Sequence, residues 1–106
     1  MKILIVDDEP PARARLMALV EEIGTGVVVA EAENGRAALI LARSEEPDLV
    51  LLDIRMPGMD GLEVARHLAM LEHPPAVIFT TAFDNHALEA FDSNAVDYLL
   101  KPIRLD

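Results

Sequence analysis

Residues 49–61 read LVLLDIRMPGMDG, and this stretch decides the fold. It opens with four large aliphatic residues that do not alternate with polar ones, which is typical of a parallel strand covered by helices on both faces. The strand ends in Asp53, and Pro57 and Gly61 then favour a turn, with Asp60 placed to cap the next helix. The stretch therefore predicts that Asp53 lies at the edge of a sheet, although a lone acid there often does no more than end a strand.

The composition limits the class of protein. The chain has 106 residues and no cysteine, which predicts one domain over residues 1–106 and excludes disulfides and thiolate metal sites. The acidic residues that follow the first apolar run exclude a signal peptide, and no run approaches the roughly 20 apolar residues of a membrane span. We therefore expect a cytoplasmic protein without a membrane partner.

The net charge argues against nucleic acid as a direct partner. The formal charge is −10 at pH 7, and no cluster of Lys or Arg offsets it. A phosphate backbone would be repelled by such a surface. We expect no direct nucleic acid binding by this domain.

Apolar runs alternate with segments of helical spacing along the whole chain. Besides the run at 49–52, such runs occur at residues 3–6, 27–30, 76–79 and 98–100. Between them, helices are predicted from Pro10 to Gly24, from Asn34 to before Pro47, from Asp60 to before Pro74, and over residues 84–91. Regular alternation of this kind predicts an α/β fold with a doubly wound, five-stranded parallel sheet.

The spacing on the first predicted helix separates an apolar face from a polar one. The apolar face consists of Ala12, Leu16, Leu19, Val20 and Ile23, and the polar positions include Arg13 and Arg15. We expect the apolar face to cover the sheet.

The ends of the predicted strands carry the residues suited to chemistry. In folds of this class ligands bind outside the carboxyl ends of the strands. The apolar runs end in Asp7-Asp8-Glu9, Asp53, Thr80-Thr81 and Lys101. Three carboxylates close together repel one another unless a cation neutralises them, and an all-oxygen site suits Mg²⁺. One carboxylate could then act as a nucleophile towards phosphorus, with a lysine and a hydroxyl balancing the phosphoryl charge.

Four motifs resemble the receiver domain of two-component response regulators. They are Val6-Asp7-Asp8-Glu9, residues 51–61, Thr80-Thr81-Ala82, and Asp97-Tyr98-Leu99-Leu100-Lys101-Pro102, and together they span nearly the whole chain. The resemblance implies a flavodoxin-like sheet with strand order 2-1-3-4-5. It also implies a sensor histidine kinase as partner, and a domain that is no enzyme but assists its own phosphorylation and dephosphorylation.

The same resemblance implies the roles of individual residues. Asp53 would be the phosphoacceptor, and Mg²⁺ would be bound by Asp8, Asp53 and the backbone carbonyl of Arg55, with Asp7 acting through water. Thr81 would be the switching hydroxyl and Lys101 would pair with the phosphoryl group. Tyr98 would swing inward and alter the face formed by the fourth helix and the fifth strand.

A finer resemblance concerns the last quarter of the chain. Residues 81–91 and 95–102 are similar to receivers attached to LytTR-type DNA-binding domains, an alginate-regulator-like group. This implies a transcriptional output domain that is absent from the chain.

The chain departs from the family after the Lys101-Pro102 motif. Family members have a fifth helix there, whereas only four residues follow Pro102. The fifth helix is thus missing or truncated, which would leave apolar surface uncovered. We therefore expect a homodimer or an exchanged element.

Two other functions are compatible with parts of the pattern. A phosphatase with an Asp nucleophile would need a second acid two residues after it, and Arg55 occupies that place. A pseudo-receiver would keep the fold as a protein-interaction module without phosphorylation. The joint presence of Asp8, Asp53, Thr81 and Lys101 favours the phosphoacceptor over this alternative.

Overall fold

The computed structural model describes residues 1–81 and 97–100, and for residues 81 and 97–100 it gives the strand backbone alone. In chain order the elements are β1 (Lys2–Val6), α1 (Pro10–Ile23), β2 (Val27–Ala32), α2 (Gly35–Glu45), β3 (Leu49–Asp53), α3 (Gly61–Leu68), β4 (Ala76–Thr81) and β5 (Asp97–Leu100). Two predictions lie outside the described residues. They are the fourth helix, over residues 84–91, and the missing or truncated fifth helix after Pro102.

The strands form one parallel sheet in the order β2-β1-β3-β4-β5. The first strand lies between β2 and β3, so the chain reverses direction across the sheet after β2. This is the flavodoxin-like topology, and it confirms the predicted fold class. Because all strands run the same way, their carboxyl ends meet at one edge.

The central strands are buried on both faces, as their unbroken apolar sequence predicts. Alternate residues of β1 and β3 point to opposite sides of the sheet. One side packs against α2 and α3 and includes Leu4, Val6, Val50, Leu52, Ala38, Val64 and Leu68. The other side packs against α1 and includes Ile3, Ile5, Leu51, Leu16 and Val20. The strands that carry the acids therefore stand on a rigid, close-packed base.

The helix ends follow the residues predicted to form them. Gly24 ends α1 in the left-handed conformation, with φ of 78°. Asn34 caps α2 by accepting from the Ala37 amide at 2.8 Å. Asp60 caps α3 by accepting from the Glu63 amide at 2.9 Å.

Two details differ from the sequence expectation. Ile23 was expected to face the sheet, but it lies in the last turn of α1 and is 53% exposed. Helix α3 ends at Leu68, well before Pro74. Its last turn is tightened by bonds from the amides of Met70 and Leu71 to the carbonyls three residues earlier, which end the helix.

Within the described ranges, no helix is long and apolar enough to cross a lipid bilayer.

The first residue of α3 lies directly against the end of β3. The Gly61 amide donates to the Ile54 carbonyl at 2.8 Å. A Cβ at Gly61 would lie 2.1 Å from the carbonyl oxygen of Asp53 and 2.7 Å from the Cα of Ile54. Any side chain at residue 61 would therefore push the helix away from Asp53.

We predict that Gly61→Ala lowers the free energy of unfolding by about 2 kcal/mol or more, because the new methyl group overlaps backbone that cannot easily give way. Urea denaturation of both proteins measures the difference. Gly58→Ala is the control, since it has φ of +77° but no atom within 4 Å of the added Cβ. It should lose only about 1 kcal/mol through backbone strain. A Gly61→Ala protein as stable as Gly58→Ala would contradict the close contact.

Candidate functional site

Three carboxylates meet at the carboxyl edge of the sheet. One oxygen from each of Asp7, Asp8 and Asp53 lies within 4.8 Å of the others, and we call this group the acidic pocket. Asp7 and Asp8 directly follow β1, and Asp53 is the last residue of β3. They meet because β1 and β3 are hydrogen-bonded neighbours with Val6 opposite Leu52. The structure thus brings together three of the residues predicted for the site.

The acidic pocket holds its charge in a largely water-excluded place. Asp7 is fully buried, Asp53 is 4% exposed, and Asp8 is half-buried. Carboxylates are costly to bury unless hydrogen bonds or opposite charges compensate them, and like charges at this distance repel. A cation placed among the three oxygens would relieve both costs. The donor set is entirely carboxylate, which is the chemistry that hard divalent cations prefer.

Hydrogen bonds fix the turn that carries Asp7 and Asp8. The Asp7 amide donates to the carbonyl of Ala32 in β2 at 3.1 Å. Its Oδ1 accepts from the Glu9 amide at 2.9 Å, which closes an Asx-type turn into α1. Its carbonyl accepts from Nη1 of Arg13 at 2.8 Å. Asp7 is therefore held by main-chain contacts and by one guanidinium.

The loop after β3 is anchored on either side of Arg55. Ile54 and Met56 are buried, at 2% and 7% exposure, whereas Arg55 between them is exposed. The Ile54 amide also donates to the Thr80 carbonyl at 3.4 Å, which ties this loop to β4. Arg55, whose carbonyl was predicted as a metal ligand, thus lies two residues after Asp53 in a segment held by buried neighbours.

The end of β4 contributes a buried hydroxyl. Thr80 lies opposite Asp53 in the strand register, and paired residues of parallel strands point to the same face. Thr80 is fully buried, and its Oγ1 has no hydrogen-bond partner among the described residues. Thr81, the predicted switching residue, is the last residue of β4, but its side chain lies outside the described part of the chain.

The remaining predicted residues concern β5. Tyr98 lies opposite Phe79 in the backbone register, and its side chain is not among those described. Lys101 lies outside the described residues. It directly follows β5 in the sequence, and β5 pairs in parallel with β4, so the strand before it ends at the same edge of the sheet.

One residue that contacts the site was not predicted from the sequence. Arg13 was assigned to the polar face of α1, yet its side chain is only 17% exposed and bonds to the Asp7 carbonyl. Its Nε also forms an ion pair with Oε1 of Glu31 at 3.3 Å. The available signal was a basic residue in the first helical turn after an acidic strand end.

Comparison with known proteins agrees with this arrangement. Residues 3–106 match the response regulator receiver domain family. The positive alginate biosynthesis regulatory protein of Pseudomonas aeruginosa is 59% identical over 105 residues, which cover 98% of this chain and 42% of that protein. The sensory transduction protein LytT of Bacillus subtilis is 41% identical over 102 residues, covering 96% of this chain and 42% of LytT. The chain thus spans less than half the length of these relatives.

Solved structures show the same fold. The response regulatory domain of MrkE from Klebsiella pneumoniae superposes with a TM-score of 0.89 at 35% identity, covering 98% of this chain and 85% of that one. A CheX–CheY complex with BeF₃ and Mg from Borrelia burgdorferi matches with a TM-score of 0.90 at 25% identity, covering 98% of this chain and 80% of the matched one. Together with the family match and the relatives of the alginate-regulator and LytT type, these likenesses confirm the predicted resemblance: the chain belongs to the response regulator receiver domain family, the signalling domains of two-component systems.

Proposed function

We propose that this receiver domain is a Mg²⁺-dependent phosphoacceptor switch in which Asp53 accepts a phosphoryl group from a sensor histidine kinase. The observation that carries the proposal is the acidic pocket, where three carboxylate oxygens lie within 4.8 Å of one another. Asp53 is the member held on a central, buried strand. A nucleophile on such a strand has a fixed position, which is what phosphoryl transfer chiefly requires.

The residues present fit a magnesium ion. Mg²⁺ prefers oxygen ligands, keeps several waters and uses one or two carboxylates together with a substrate phosphate. In this proposal Asp8, Asp53 and the backbone carbonyl of Arg55 would bind the ion directly, and Asp7 would act through a water molecule. A magnesium ion held by these residues would supply positive charge to offset that of the phosphoryl oxygens.

The chemical step uses groups of this chain. A carboxylate oxygen of Asp53 forms a bond to phosphorus as the bond from phosphorus to the donor's imidazole nitrogen breaks, and the imidazole departs and takes up a proton. In this proposal Lys101 and Thr81 would balance the charge of the equatorial oxygens. In this proposal the domain assists both its phosphorylation and its dephosphorylation.

Phosphorylation acts as a switch through charge. A phosphoryl group adds about −1.5 to −2 charge and new acceptor oxygens beside the end of β4. In the proposal Thr81 moves towards these oxygens, Tyr98 turns inward, and the surface formed by the fourth predicted helix and β5 changes. The phosphoryl group can shift the equilibrium between the two conformations only by the difference in its interaction free energy with them.

The partners follow from the family and from the charge. The Pseudomonas relative is named a regulatory protein and the Bacillus relative a sensory transduction protein. Both are more than twice as long as the matched segment, which supports an attached output domain, and we propose that it binds DNA. The net charge of −10 supports DNA contact through that domain and not through this one. We further propose a cytoplasmic location, and a homodimer or an exchanged element.

Phosphorylation is tested with acetyl phosphate and Mg²⁺, followed by intact-mass measurement. We expect the wild-type chain to gain one phosphoryl group and Asp53→Asn to gain none, because the amide is not a nucleophile. Asp60→Asn is the matched control, since Asp60 is an exposed acid of the same loop and Asn caps a helix equally well. It should be phosphorylated like the wild type. A wild-type chain that gains no mass would favour the pseudo-receiver.

Metal binding is tested separately through stability. A cation that binds only the folded chain should raise the free energy of unfolding by about 2.7 kcal/mol at 100 times its Kd. We expect Mg²⁺ to stabilise the wild type in urea denaturation at constant ionic strength and to stabilise Asp8→Asn far less. In the presence of a chelator, Asp8→Asn should have a higher free energy of unfolding than the wild type, because the substitution removes one of three mutually repelling charges.

Glu9→Gln is the control for the metal experiment. Glu9 is an exposed acid beside Asp8 that lies outside the acidic pocket, so its loss changes the net charge equally. It should keep the full response to Mg²⁺. An equal loss of response in Glu9→Gln and Asp8→Asn would mean that general acidity, and not a defined site, attracts the cation.

A further inference from the structure

Arg13 links three elements around the acidic pocket. It lies in the first turn of α1, and its side chain is 17% exposed. Nη1 donates to the main-chain carbonyl of Asp7 at 2.8 Å, and Nε donates to Oε1 of Glu31 in β2 at 3.3 Å. One planar guanidinium therefore joins the helix, the turn after β1 and the neighbouring strand.

We propose that Arg13 is a positioning residue for the acidic pocket, which holds the main chain of Asp7 so that two of the three carboxylates are in place before a cation binds. The inference rests on the proposed function, because it assumes that the pocket takes a divalent cation. It assigns Arg13 no contact with the ion or with the phosphoryl group.

The contacts of the Asp7 peptide groups support this role. Its amide is tied to β2 through the Ala32 carbonyl. Its carbonyl is tied to β2 indirectly, through Arg13 and Glu31. The amide and the carbonyl of Asp7 are thus both connected to β2 by hydrogen bonds. These bonds fix the direction in which the turn leaves β1. The rigid fork of the guanidinium allows it to serve two acceptors at once.

If Arg13 acted only through its charge, its removal would change the metal affinity in the opposite direction. A guanidinium close to a cation site repels the cation, so removing its charge would strengthen metal binding. Removing a positioning contact weakens metal binding, because the turn is then less ordered in the metal-free protein and part of the binding free energy is spent on ordering it. The direction of the change in affinity therefore separates the two roles.

Mn²⁺ titration, followed by the electron paramagnetic resonance signal of the free ion, measures this affinity without any phosphorylation. We expect Arg13→Met to bind Mn²⁺ about tenfold more weakly than the wild type, in line with other residues that orient metal ligands. Arg13→Lys keeps a charged donor, so its loss of Mn²⁺ affinity should be smaller than that of Arg13→Met. Arg15→Met is the matched control, since it removes the same charge from an exposed position of the same helix. It should bind as tightly as the wild type or slightly more tightly.

Unfolding midpoints in chelator distinguish positioning from a general structural role. A merely structural residue would lower the midpoint of Arg13→Met and leave the Mn²⁺ affinity of the folded chain unchanged. Where Arg13→Met does not fold, Arg13→Gln takes its place, because it is neutral and too short to reach both acceptors.

Two results overturn the proposal. One is an Arg13→Met protein that binds Mn²⁺ as tightly as the wild type or more tightly, and the other is a loss in Arg15→Met equal to that in Arg13→Met. A wild-type chain that binds no Mn²⁺ is a different failure, because it removes the proposed function itself and the role of Arg13 falls with it.

Discussion

The parallel pairing of β1 with β3 is the constraint on which the site depends. The register places Val6 opposite Leu52, so the acids that come after these residues emerge side by side. Neighbouring strands are held about 4.8 Å apart by their hydrogen bonds, and both strands are buried on two faces. The backbone positions that carry the three carboxylates are consequently held close together. A cation placed among their oxygens would lower the mutual repulsion of like charges.

Most of the fold could be predicted because the signals are local. Unbroken apolar runs specify buried parallel strands, and Gly24, Asn34 and Asp60 mark helix ends through their own conformations or side chains. The strand order was taken from the family resemblance, since residue spacing alone does not give it. The exposure of Ile23 was missed because helical spacing shows which side a residue is on, but not whether another element covers that point.

The site was predictable to a different degree for each kind of contact. The three acids could be placed together because topology alone brings the ends of parallel strands to one edge. The bond from Arg13 to the Asp7 carbonyl could not be predicted, since it depends on the direction of α1 and on one side-chain conformation. Thr80 was placed at the end of its strand, but its full burial could not be predicted, because burial depends on the packing of neighbouring elements. The roles of Thr81, Tyr98 and Lys101 stay predictions.

The described contacts are unequally distributed around Asp53, and this bears on how a switch would work. On the β1 side Asp7 is held by a main-chain bond and by Arg13, and after β3 the Gly61 contact presses α3 against the Asp53 backbone. On the β4 side the Thr80 hydroxyl has no partner among the described residues. Charge added at Asp53 would therefore meet a fixed framework on one side and, on the other, a hydroxyl without a hydrogen-bond partner among the described residues. A conformational response to phosphorylation would begin most readily at the end of β4, where the Thr80 hydroxyl can gain a hydrogen bond without losing one to any described residue.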